Sequence, residues 1–88
     1  MRSSVLNFEQ FTLFSKICEK YMDQIHVVKL SDSRYQIKIP TDELAFECHD
    51  NITEYLQLYG FGEDQEDVNS IGRVCEELID KFYDDMNI

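Results

Sequence analysis

Glu76, Asp80 and Asp84 recur every four residues, with Glu77 and Asp85 beside them. On a helix this spacing stacks three carboxylates along one face, where like charges repel by about 0.2–0.5 kcal/mol per pair. Carboxylates near a helix C-terminus also oppose the macrodipole, at about 0.3–1 kcal/mol each. Only Arg73 and Lys81 lie close enough in sequence to offset them. Stability alone does not favour such a stripe, so the chemistry it offers is pairing with a cationic partner. The plain alternative is a solvated face screened by salt. Glu63, Asp64, Glu66 and Asp67 place four more acids within one short loop, and Asp42-Glu43 adds a pair after Pro40. Gathered together, these groups would space negative charge much as a phosphate backbone does, at about one charge per 3.4 Å of each strand.

Other chemistry is poorly served. Read as a calcium loop from Asp64, the acidic segment has Asn69 where glycine belongs, and Cys75 where a bidentate Glu belongs. Cys48-His49-Asp50 holds a thiol, a base and an acid. Read as neighbours at a strand end, however, Cys48 and His49 point to opposite faces and cannot readily share a proton. His26 stands alone. No glycine-rich phosphate loop, HExxH motif or GxSxG elbow occurs. The expectation is a chain that is not an enzyme and takes no cofactor or metal. Tyr55, Tyr59, Phe61 and Tyr83 are candidate aromatic anchors; Tyr55 and Tyr59 suit a core, and Tyr83 suits an exposed position.

The elements that would position these groups follow from hydrophobic spacing. Phe8, Phe11, Phe14, Ile17, Cys18, Tyr21 and Ile25 recur at three and four, which predicts a helix from Asn7 to Gln24 capped by Asn7. Ile25 to Leu30 is rich in β-branched residues, and Arg34 to Ile39 alternates, so Ser31-Asp32-Ser33 should turn a hairpin. After Pro40, Leu44 to Cys48 reads as a third strand with Leu44, Phe46 and Cys48 inward and Ala45 and Glu47 outward. Asp50 or Asn51 would cap a short helix carrying Ile52, Tyr55, Leu56 and Tyr59, ending at Gly60-Phe61-Gly62, where glycine can take the left-handed conformation that closes a helix. A last helix from Val68 to Asp85 would bury Val68, Ile71, Cys75, Leu78, Ile79 and Phe82. The expected fold is α+β, a three-stranded antiparallel sheet packed with helices in the order α-β-β-β-α-α. It forms a single domain over residues 1–88.

Charge is segregated along the chain. The formal net charge of -10 divides into +2 for residues 1–40 and -12 for residues 41–88, where Arg73 and Lys81 are the only bases. Such a field repels nucleic acid and anionic membranes and steers toward basic surfaces. No apolar run reaches membrane-spanning length. The opening Met1-Arg2-Ser3-Ser4 is too polar for a secretory signal, and the three cysteines show no paired spacing. The cytoplasm is the expected location, with cysteines serving as small core hydrophobes.

Two strings then carry a resemblance: Val28-Lys29-Leu30-Ser31 on the first expected strand and Phe82-Tyr83-Asp84-Asp85-Met86 in the last helix. With the acidity and the expected element order, they make the chain similar to the small acidic phage anti-CRISPR proteins that inhibit Cas9 by mimicking DNA. The resemblance covers residues 12–88 and leaves the first eleven as an extension. It implies that Asp42 and Glu43 match the family's acidic strand turn, and that Glu63, Asp64, Glu66 and Asp67 match its acidic inter-helix loop. In that family such residues occupy the cleft whose arginines read the PAM. The family's Gly-Asn turn pair is missing here, and Pro40 lies nearby. The implied function is a phage or mobile-element inhibitor acting in the host bacterial cytoplasm. It would use Asp42, Glu43, Glu63, Asp64, Glu66, Asp67, Glu76, Glu77, Asp80 and Asp84 against a basic nucleic-acid-binding protein, with a CRISPR effector as the specific expectation. Neither nucleic acid nor membrane would be bound directly. The other reading is a small acidic regulatory adaptor using the sheet or the aromatic positions.

Overall fold

A strand opens the chain where the sequence suggested an extension. The computed structural model describes residues 1–60 and 69–88. Strand β1, Arg2–Asn7, buries Ser4 and Leu6 on one side and leaves Ser3 and Val5 half-buried on the other. It pairs antiparallel with β3, Arg34–Ile39, from Arg2 opposite Ile39 to Asn7 opposite Arg34. Strand β2, His26–Ser31, pairs antiparallel with the other edge of β3, giving the order β1-β3-β2. β1 and β2 therefore run parallel on either side of β3, and α1 is the crossover between them. The hairpin turns at Asp32-Ser33, with a bulge between Lys29 and Ser31 that interrupts the exposed edge.

Helix α1 spans Phe8–Ile17 and opens with a capping box. Asn7 Oδ1 accepts the Gln10 N–H at 2.7 Å, and Gln10 Oε1 accepts the Asn7 N–H at 3.1 Å. The expected helix to Gln24 stops short. Cys18 leaves helical geometry (φ -104°, ψ 28°), and Glu19–Gln24 tightens into a 3-10 turn, with the Tyr21 N–H donating to Cys18 O. This tighter turn delivers Ile25 into the core and the chain into β2.

The expected third strand at Leu44–Cys48 is a helix. Helix α2 runs unbroken from Asp42 to Tyr59, absorbing both that strand and the short helix expected after Asp50. Thr41 Oγ1 accepts the Leu44 N–H at 3.1 Å, and Asp42 and Glu43 occupy the first turn, where carboxylates favour the dipole. Helical spacing buries Leu44, Ala45, Cys48 and Ile52, and turns Phe46 out to 52% exposure, inverting the expected Ala45 and Phe46. The fold class stands as α+β with a three-stranded antiparallel sheet; its third strand is Arg2–Asn7, so the element order differs from the expected one.

Helix α3 spans Ser70–Met86, capped by Asn69, whose side chain accepts the Gly72 N–H at 2.8 Å. It buries Gly72, Val74, Cys75, Leu78, Phe82 and Met86, whereas Ile71 lies at 37% exposure. The expected first residue, Val68, lies outside the described residues. Asn87 takes the left-handed conformation (φ 61°) that ends the helix. Gly60 does not; its φ is -87°, and its small size serves close packing instead, while the other expected glycine, Gly62, lies outside the described residues. A Cβ there would come within 2.6 Å of Leu56 O and 3.0 Å of the Gly72 Cα. That approach brings the end of α2 to the start of α3, and the His49 ring meets Phe82 midway along them (6.2 Å between centroids). The two helices therefore form an antiparallel pair. They share one core with Leu6, Phe14, Ile37 and Ile39 from α1 and the sheet.

Candidate partner-binding surface

The long helices carry the charge. Helix α2 bears Glu43, Glu47, Asp50 and Glu54 at intervals of four, three and four, and contains no Lys or Arg. At 100° per residue this series lies on the side opposite Leu44, Cys48 and Ile52, and all four residues are exposed. Helix α3 repeats the arrangement: Glu76, Asp80 and Asp84 are exposed on the side away from Cys75, Leu78 and Phe82. Two stripes thus run along neighbouring antiparallel ridges. Carboxylates four residues apart rise about 6 Å along a helix. Two such ridges together approach one charge per roughly 3 Å, about half the density of duplex DNA.

Sequence reasoning missed Glu47, Asp50 and Glu54 because it ended a strand at Cys48. Their spacing is the signal, and it becomes visible once Thr41-Asp42-Glu43 is read as a helix start. Tyr21 donates its hydroxyl proton to Glu47, and His49 Nδ1 lies 3.9 Å from Asp50 Oδ1. Among the described residues, no ion pair or hydrogen bond engages Glu43, Glu54, Glu76, Asp80 or Asp84.

Two expected contact residues are engaged within the fold. Asp42 opens α2 and is not in a strand turn; its Oδ1 accepts from Arg2 Nε at 2.9 Å. The Arg2 guanidinium holds the Asp42 carboxyl below its usual range through this hydrogen bond and its charge. Arg2 also donates to Met86 O, supplying from β1 the cation that the last turn of α3 lacks. Beside it, the buried Ser4 hydroxyl donates to Asp85. Glu77 accepts from Arg73 Nη1 at 3.0 Å and from Gln10 Nε2 at 3.1 Å, and Arg73 reaches Glu9 at 3.3 Å. Both residues hold α3 and α2 in place, leaving the charge of Glu43, Glu76, Asp80 and Asp84 outward. Glu63, Asp64, Glu66 and Asp67 lie outside the described residues, as does Phe61.

Two of the bases lie on the far face of the sheet. Alternation places Arg34 and Lys38 on the sheet face opposite buried Ile37 and Ile39, with His26 directly across from Lys38. The helices pack on the buried face, so Arg34 and Lys38 lie on the side of the sheet away from the acidic ridges. Apolar exposure is a second surface feature. Phe46 and Tyr83 (69% exposed) accompany the acidic ridges, and Leu58 and Tyr59 lie near the end of α2. The core assignment for Tyr59 is corrected accordingly; at 55% exposure its ring lies 4.7 Å from that of half-buried Tyr55. A groove of about 520 Å³ runs between α1, α2 and α3, lined by Phe8, Leu13, Tyr55, Ile71 and Val74.

No cluster of three or more His, Cys, Asp or Glu able to hold a metal ion exists among the described residues. No described helix is long and apolar enough to cross a membrane. Cys48 lies inside α2, and no hydrogen bond joins it to His49. In comparisons with known proteins, no family model matches the chain, and no curated protein or solved structure shows significant similarity to it.

Proposed function

We propose that this chain inhibits a nucleic-acid-binding protein by occupying its basic groove with the carboxylates of α2 and α3. One observation carries the reading. Of the ten acids described after residue 40, only Asp42 and Glu77 pair with an arginine, and α2 contains no Lys or Arg of its own. Carboxylates left with water alone keep their attraction for an incoming guanidinium, and bidentate pairing would add direction to it. Long-range attraction would also speed association.

A CRISPR effector of the Cas9 type is the specific partner proposed, which makes the chain a candidate phage anti-CRISPR protein of the host cytoplasm. Support for that narrower step is the acidity and the string Phe82–Met86 at the end of α3. The turn attributed to Asp42-Glu43 opens a helix instead, so the contacts proposed here centre on Glu43, Glu76, Asp80 and Asp84. The test is displacement of a PAM-bearing duplex from a guide-loaded effector. Release by the wild-type chain, but not by a variant neutralised at those four positions, is expected. Simultaneous binding of chain and duplex would overturn the reading.

The adaptor reading has its own observation, the exposed Phe46, Leu58, Tyr59 and Tyr83 together with the groove along α1. An apolar interface would survive neutralisation of the acids and fail on removal of the rings.

A further inference from the structure

The three cysteines are all fully buried, yet they are not equivalent. Cys18 closes α1 at its junction with the 3-10 turn, and Cys48 lies midway along α2. Cys18 Sγ is 3.9 Å from the backbone oxygen of Cys48, so the two buried cysteines are packed against each other. We propose that Cys18 and Cys48 form a peroxide-sensitive dithiol that closes to a disulfide, tying the end of α1 to the middle of α2. This inference is independent of the acidic ridges.

Cys48 is the nucleophile. The hydrogen bond from Cys18 pulls its thiol below the ordinary value, against burial and the nearby Glu47 charge. The same contact, with burial, keeps the proton on Cys18. Burial and the Glu76 charge raise the Cys75 thiol, and no second sulfur contributes there. A buried pair selects a small oxidant, and hydrogen peroxide is little larger than water.

The Cys48 thiolate attacks one peroxide oxygen. An S–O bond forms, the O–O bond breaks, and hydroxide leaves and takes up a proton. Cys18 then gives up its proton and attacks the Cys48 sulfur, expelling the sulfenic oxygen as water. Two thiols lose two electrons and two protons, and one peroxide becomes two waters. Forming a bond of about 2.05 Å requires the two sulfurs to approach each other. Cys18 sits where helical geometry has already been abandoned (φ -104°, ψ 28°), which is where such a shift is most easily accommodated.

The test treats the folded protein with peroxide, then unfolds it, alkylates free thiols with iodoacetamide and maps the peptides by mass. The expected product has lost two hydrogens, carries one alkyl group on Cys75, and contains a Cys18–Cys48 linked peptide that dithiothreitol separates. Its urea midpoint should rise above that of the reduced protein, because the link restrains the unfolded chain. Cys18→Ser should stop the reaction at a sulfenic acid on Cys48 that dimedone traps. Three alkylated cysteines after peroxide, a link through Cys75, or over-oxidation of Cys48 in the wild type without any link would overturn the proposal. The wild-type map decides the question even if the variant folds poorly.

Discussion

Neutralising the α3 ridge with Glu76→Gln, Asp80→Asn and Asp84→Asn together should stabilise the fold. The three side chains are exposed and touch no described partner, so the isosteric amides remove charge with little change in packing. Two like-charge pairs at four-residue spacing are relieved, worth about 0.4–1 kcal/mol together. Asp84 lies in the last turn of α3, which has no Lys or Arg of its own, and removing its charge adds about 0.3–1 kcal/mol. The sum is roughly 0.7–2 kcal/mol, and each kcal/mol shifts Tm by about 4–8 °C in a domain of this size. Thermal unfolding followed by circular dichroism at low salt would read the rise directly. Raising the ionic strength should shrink the difference between variant and wild type, because exposed charges are screened. An unchanged or lower Tm for the triple variant would refute the reasoning; the carboxylates would then be part of what holds α3 together.

Arg2→Ala should lower the urea midpoint at neutral pH, since it removes both the Asp42 pair and the donor to Met86 O. Because Asp42 titrates lower in the folded than in the unfolded chain, this contribution is complete above pH of about 4 and fades as pH falls through the folded value. The difference between wild type and variant should therefore narrow in acid, down to the share that the Met86 O contact supplies. Gly60→Ala should destabilise by about 1–3 kcal/mol in chemical denaturation, as the new methyl meets Leu56 and Gly72. Thr41→Ala should cost about 1 kcal/mol by the same measurement through loss of the α2 cap. Phe82→Ala, which opens a void beside Phe14 and His49, should cost about 3–5 kcal/mol.

The hairpin and α3 were legible because their periods are unmixed. Tyr35, Ile37 and Ile39 alternate over a full strand length, and Cys75, Leu78 and Phe82 return at three and four. Residues 44–48 were not. Leu44, Phe46 and Cys48 alternate, while Leu44, Ala45, Cys48 and Ile52 fit a helix, and five residues cannot separate the two periods. The decisive information was local: Thr41 ahead of two acids, with Pro40 outside the first turn. Arg2–Asn7 holds only Val5 and Leu6 as apolar residues, and its pairing partners lie 27 to 37 residues away, so its place at the sheet edge is a tertiary effect. The α3 ridge was visible in the sequence; the α2 ridge was hidden by the strand assignment. That Asp42 and Glu77 are held by Arg2 and Arg73 depends on distances that spacing does not encode.

The central claim is that outward carboxylates on α2 and α3 take the place of nucleic acid on a basic protein. The most direct measurement immobilises the chain, captures proteins from a bacterial lysate at low salt, and challenges them with duplex DNA. The account predicts that DNA releases the captured protein and that its affinity for the chain falls about tenfold or more between ~50 and ~200 mM salt. It also predicts that the ridge-neutralised chain captures little. Equal capture by both chains, indifferent to DNA and to salt, would contradict it.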